Sequence, residues 1–231
     1  MQVEDISIDI VRKNIKNLYL KVRSTDGKVY ISAPFGLEEE DIRKFALAKI
    51  DWIKRKQSKF AQKLSIPNPQ YLSGESYYYQ GDRLILKLIN HSTAPKVIIN
   101  DGYLHLYVCH GSLKEQKEQI LNNWYRRQLK TKLPSLIAKW EKIIGVETND
   151  WGVKKMKTRW GTCNIKAKRI WLNLELIKYP SVCLEYVVVH ELVHLLERNH
   201  GDLFKAFMSK FMPQWRIYEE ELNLFTVKLY G

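Results

Sequence analysis

Apolar and polar residues alternate one by one near the start of the chain: Ile6, Ile8 and Ile10, then Leu18, Leu20 and Val22, then Val29 and Ile31. A period of two puts such residues on one face of a strand, so three strands are expected. Asp26-Gly27 supplies a hairpin turn between the second and third, and Ala33-Pro34 closes the segment. The period then changes. Glu38-Glu39-Glu40-Asp41 places acid at a helix start, where the dipole favours it. Ile42, Phe45, Ile50, Trp52 and Ile53 form the inward face of one helix running to about Leu64. Pro67-Asn68-Pro69 breaks the chain, and strand-like patterning resumes over 71–108. Tyr77-Tyr78-Tyr79, a Gln80-Gly81-Asp82 turn, Leu84 to Ile89, Val97 to Ile99 and Leu104 to Val108 read as a meander.

From about Leu113 to Ile144 the spacing is helical again, with Ile120, Trp124, Leu133, Ile137, Trp140 and Ile144 as the buried stripe. Pro134 should kink or divide that helix. Val153 to Met156 and Ile170 to Leu174 read as short strands, with Arg159-Trp160-Gly161-Thr162-Cys163-Asn164 as their connection. Pro180-Ser181 then starts a helix expected to run from about 181 to 198, apolar on nearly all sides. Phe204, Phe207, Phe211 and Trp215 continue at helical spacing beneath it, Pro213 interrupts, and Leu222 to Tyr230 is read as a tail. No repeat with a period of 20–50 residues is visible.

The few polar residues of the 181–198 helix carry the chemistry. His190 and His194 lie four apart, so they share a helix face and can chelate one zinc ion. Glu191 beside them has the position of a general base for the water that such an ion activates. A catalytic zinc takes three protein ligands and one open position. His200 is the expected third if the helix ends first, through a left-handed residue at Asn199 or Gly201. Glu197, which shares the face of 190 and 194, and the Glu219–Glu221 cluster are the competitors. Cys163 as a fourth ligand would close the site and make it structural.

Composition narrows the setting. The chain has 231 residues and a formal net charge of +13, which permits nucleic-acid, nucleotide or other anionic partners and also fits a plain lysine-rich surface. Met-Gln-Val-Glu-Asp is no signal peptide, and no run approaches the roughly 18 apolar residues of a membrane helix. Cys109, Cys163 and Cys183 are odd in number and fit reduced thiols, so a cytoplasmic protein is expected.

Arg159-Trp160-Gly161-Thr162-Cys163, Asn173, Pro180, Tyr186-Val187-Val188-Val189-His190-Glu191-Leu192-Val193-His194, Asn199-His200 and Phe204 resemble the signature of the YgjP-like metal-dependent hydrolases, relatives of the SprT-like and WLM zinc peptidases. The resemblance implies an α+β fold: an amino-terminal β-rich part on a minimal zincin-like helical core that carries the H-E-x-x-H helix. On that basis residues 1–110 form the β-rich region with one helix and 111–231 the catalytic region. It also implies His190, His194 and His200 as ligands of one Zn2+ per chain, with Glu191 as base. Thr162 stands where the family usually has Ser, and Gly201 where Ser is usual. Arg159, Trp160 and Tyr186 are candidates for substrate binding or for holding the oxyanion, and Glu185, Asp202 and Glu219–Glu221 for orienting the histidines. The resemblance leaves the substrate open. A peptidase acting on peptide or protein is the first reading. A nucleoside triphosphate (UTP) pyrophosphatase using the same metal is the second, and a nucleic-acid-associated protein with structural zinc the third.

Overall fold

The computed structural model describes residues 1–23, 27–64, 69–91 and 94–230, with the side chains of 59–64 and 224–230 outside the description. The chain divides into two compact units, one built on Met1–Asn68 and the other on Pro69–Leu229. Residue 110, the expected boundary, falls inside the second unit, where the sheet before it and the helices after it share one core.

In the first unit, strands β1 (Gln2–Val3), β2 (Ile6–Lys13), β3 (Tyr19–Val22) and β4 (Val29–Pro34) form a sheet in the order β1-β2-β4-β3. The alternating pattern does what its period requires. Ile6, Ile8, Val29, Ile31 and Ala33 are buried on one face, against Ile42, Ala46 and Ile53. Asp26 lies outside the described residues; Gly27 has φ +69, and Gln57 donates to its carbonyl at 2.9 Å. The expected single helix is two, α1 (Glu39–Leu47) and α2 (Ile50–Leu64). Lys49 donates to the Ala46 carbonyl, a tight turn that re-aims the chain so that Ile42 and Ile53 both face the sheet. Trp52 departs from expectation: it is exposed, with the Lys56 ammonium 5.6 Å from its ring centroid.

The second unit opens with β5 (Ser76–Tyr79), β6 (Asp82–Asn90), β7 (Lys96–Asn100) and β8 (Tyr103–Val108), in the order β5-β6-β8-β7. It is not a meander, because β6 and β8 run parallel and β7 pairs on the far side of β8. Its layout repeats that of the first sheet. Val29 lies opposite Ile8 and Val22, and Ile31 opposite Ile10 and Leu20. Leu104 lies opposite Leu86 and Ile99, and Leu106 opposite Leu88 and Val97. From Val29 to Leu104, and from Ile31 to Leu106, is 75 positions. In both units a helix follows the innermost of these strands. Unequal loops and a period longer than 50 hide this repeat from a search of the sequence.

Helix α3 (Lys114–Ile144) runs through Pro134 as one continuous element. Leu121, Trp124, Leu129, Leu133, Ile137, Trp140 and Ile144 form its buried stripe on both sides of the proline, so packing holds the helix together where one hydrogen bond is missing. A third sheet follows. Strands β9 (Asp150–Lys154), β10 (Gly161–Asn164) and β11 (Arg169–Asn173) lie in the order β10-β11-β9. The segment read as a connection thus contains an edge strand, antiparallel to β11. A 3-10 turn (Leu174–Lys178) leads into α4 (Ser181–Val193), then α5 (Asp202–Phe211) and α6 (Trp215–Tyr230). The stretch from Leu222 is therefore helical rather than a tail. The β5–β6 turn docks on the entry to α4: Gln80 and Gly81 donate to the carbonyls of Ile177 and Lys178. A Cβ on Gly81, whose φ is +96, would lie 3.1 Å from Pro180. Among the described residues no helix is long and apolar enough to cross a membrane.

Candidate metal centre

Helix α4 is apolar nearly all round: Cys183, Leu184, Tyr186, Val187, Val188, Val189, Leu192 and Val193 are buried. Such a helix belongs inside a core, and packing overrides the strand preference of its valine run. His190 stands in its last turn and His194 caps its end. The helix stops short of the expected 198 by tightening. Leu195 donates to Leu192, and Leu196 and Glu197 to Val193. Asn199 and Gly201 both keep negative φ, so no left-handed residue makes the turn.

That turn brings His200 back to the helix. One ring nitrogen from each of His190, His194 and His200 lies within 4.8 Å of the others, and His200 Nε2 is 2.9 Å from His190 Nε2. Phe204, from the first turn of α5, has its ring centroid 4.8–4.9 Å from all three imidazoles. His194 Nδ1 donates to the Glu197 carbonyl at 3.1 Å, which leaves Nε2 as the acceptor aimed at the cluster. Burial, then the two neighbouring histidines, pushes His190 down to about 3, and burial lowers His194. Three imidazoles whose ring nitrogens converge are a donor set that zinc takes, and all three line the cleft. Glu197 is otherwise engaged, accepting from the Asn199 amide at 2.9 Å. Among the described residues, neither it, the Glu219–Glu221 cluster nor Cys163 joins the three histidines.

Glu191 is only 5% exposed. Burial pushes its carboxyl up to about 8, with the Arg159 charge acting in the opposite direction. The edge strand β10 lies against it so closely that a Cβ on Gly161 would be 2.5 Å from Glu191 Oε1. Only glycine allows this approach. Asn173, buried at the end of β11, fixes the segment leading into that strand. Its Nδ2 donates to the carbonyls of Met156 and Arg159, its Oδ1 accepts from the amides of Met156 and Glu175, and its own amide donates to Trp160. Gly161 and Asn173 were visible in the sequence only as members of a motif; their physical roles require the contacts.

A cleft of about 1080 Å³ collects these groups, bringing Arg159, Trp160 and Tyr186 together with the histidines and Glu191. Arg159 is exposed at its edge. Trp160 is half-buried, edge-on to Tyr179 with centroids 4.8 Å apart. The Tyr186 hydroxyl donates to Glu219 Oε1 at 3.2 Å, and burial followed by the Glu219 charge raises the phenol, which stays protonated. Cys163 also lines the cleft, its thiol pushed up to about 11 by burial and then by Glu191. Of the other carboxylates considered, Glu185 accepts instead from Lys139 and Trp140, and Asp202 is fully exposed beside Lys205. Lys166 and Arg198 line the cleft as well, without any cue in the sequence.

A family model described as "YgjP-like, metallopeptidase domain" matches residues 16–225. No curated protein matches the chain. Among solved structures, the metallopeptidase zymogen abylysin of Pyrococcus abyssi is similar at 21% identity and a TM-score of 0.37, over 41% of this chain and 92% of that one. The metallopeptidase zymogen jannalysin of Methanocaldococcus jannaschii is similar at 22% identity and a TM-score of 0.35, over 40% of this chain and 92% of that one.

Proposed function

From the premise that the chain belongs to the YgjP-like metallopeptidase family, we propose that it is a zinc-dependent peptidase with His190, His194 and His200 as ligands, on a zincin-like arrangement of α4 and β10. The observation that carries the reading is the convergence of three ring nitrogens within 4.8 Å, beside a buried glutamate and open to a cleft. Bound there, zinc would supply Lewis acidity and make water a nucleophile near neutral pH.

The chain's own groups do the rest. Glu191 takes a proton from the attacking water and returns it to the leaving amine, a task suited to a carboxyl whose affinity for protons is raised towards neutrality. Gly161 lets β10 reach Glu191, and Asn173 holds that strand's entry. Strand β10 is the edge of its sheet and lines the cleft, so an extended peptide can add to it through main-chain hydrogen bonds. Arg159 is the better placed donor for the developing oxyanion, because the Tyr186 hydroxyl is engaged with Glu219.

Glu191→Gln is expected to keep stoichiometric zinc and abolish cleavage of an unfolded protein substrate. His200→Ala is expected to lose zinc. Full zinc content in His200→Ala would remove it from the ligand set, and turnover by Glu191→Gln would end the general-base assignment. UTP given to the same preparation separates phosphoanhydride hydrolysis from peptide hydrolysis at the same metal.

A further inference from the structure

The cleft walls carry cations that the hydrolytic chemistry does not require. Lys166 follows the edge strand β10, in the turn towards β11, and Arg198 stands on the connection between α4 and α5. Both are exposed and both line the cleft. Neither forms an ion pair among the described residues. Arg159, two residues before β10, adds a third positive charge nearer the base. Two carboxylates oppose them in the lining: Glu191 at the buried floor, and Glu219, which accepts from the Tyr186 hydroxyl. The mouth is therefore cationic on more than one side.

Position sharpens the point. Arg159 and Lys166 bracket β10, each separated from it by one residue. An extended chain rises about 3.3 Å per residue. Glu191 lies against Gly161, so a peptide added to β10 meets Arg159 close to the scissile bond, where it serves the oxyanion, and Lys166 beyond the far end of the strand, about five residues along. Exposed charges placed this way act on encounter and selection more than on the bond-breaking step.

We propose that the cleft selects acidic polypeptide segments, with Lys166 and Arg198 reading carboxylate side chains that flank the scissile bond. This rests on the peptidase reading above. It assigns part of the chain's basic surplus to substrate choice, where a solvated lysine-rich surface would have no effect on which peptide is cut.

The test uses the full-length zinc-loaded protein and two quenched fluorescent peptides of one sequence. One carries Glu, the other Gln, at the fourth and fifth residues to either side of the scissile bond. At low ionic strength kcat/KM for the Glu peptide is expected to exceed that for the Gln peptide by about 10-fold, the scale of two exposed charge contacts. The gap should close as salt rises, because such contacts are screened within about 10 Å at 0.1 M. In the double variant Lys166→Glu/Arg198→Glu, checked for zinc content and melting temperature, the order should reverse. Equal rates on the two peptides by the wild type overturn the proposal while leaving the peptidase reading in place. So does a preference for Glu that survives the double variant. Cleavage of neither peptide, cleavage indifferent to Glu191→Gln, or hydrolysis of UTP in place of both overturns the peptidase reading and the proposal with it.

Discussion

At the scale of single residues the site turns on close approaches. A methyl group at residue 161 has no room, because it would sit 2.5 Å from the Glu191 carboxyl oxygen and 2.7 Å from Cγ. Gly161→Ala must displace either the base or the strand, and a misplacement of about 1 Å near the chemistry costs on the order of 100-fold. The expected result is kcat lower by about that factor with zinc content unchanged; full activity in Gly161→Ala would contradict the packing described. Glu191 gives a second prediction, for chelated, metal-free protein. Its folded value is raised to about 8 from an ordinary 4.5. Between those values the folded protein keeps a proton that the unfolded chain releases, so this group makes stability fall as pH rises through the window. Gln in its place carries no such dependence. Melting temperatures from pH 5 to 8 should show Glu191→Gln gaining steadily on the wild type, and parallel curves would refute the assigned cause.

At the scale of elements the sequence was most readable where one period persisted. Ile6 to Ile10 and Val29 to Ile31 alternate, and both became strands with Ile6, Ile8, Val29 and Ile31 inside and Ile10 half-buried. The Leu113 to Ile144 stripe became α3 because seven apolar positions hold one face through Pro134. Tertiary contacts decided the rest. The break between α1 and α2 carries no proline or glycine, and the β10 strand is four residues with an ordinary pattern, defined by pairing with β11. The turn after α4 used successive short hydrogen bonds to Leu192 and Val193 where the sequence offered Asn199 and Gly201. Two substitutions probe these elements. Pro134 is exposed in the helix interior, so Pro134→Ala restores a hydrogen bond to α3 and should raise stability by about 1–3 kcal/mol in urea unfolding. Asn173→Ala leaves two amides and two carbonyls around it short of a partner. A loss of roughly 2–4 kcal/mol is expected, together with lower kcat because the entry to β10 is freed.

For the whole molecule, His190 and His194 were legible because their spacing is that of one helix face, and His200 because three of the chain's six histidines fall between residues 190 and 200. The contacts around them were not, since Gly161 and Lys166 on one stretch and Arg198 and Phe204 on another meet at the cleft only in the fold. The 75-residue repeat of sheet layout was equally hidden, being written in strand register rather than in residue identity. The +13 charge also reads differently in the fold. Lys87, Lys96 and Lys154 lie over the rings of Tyr103, Tyr107 and Trp171 at 3.4, 4.6 and 3.7 Å, so part of the basic surplus is packing on aromatic faces. The central claim is that one zinc held by the three histidines serves peptide hydrolysis through Glu191. Its most direct test is zinc content and cleavage of an unfolded protein, measured side by side on wild type and Glu191→Gln. One zinc per chain in both, with cleavage by the wild type alone, is the predicted result. Equal cleavage by both, or wild type without zinc that still cleaves, would contradict it.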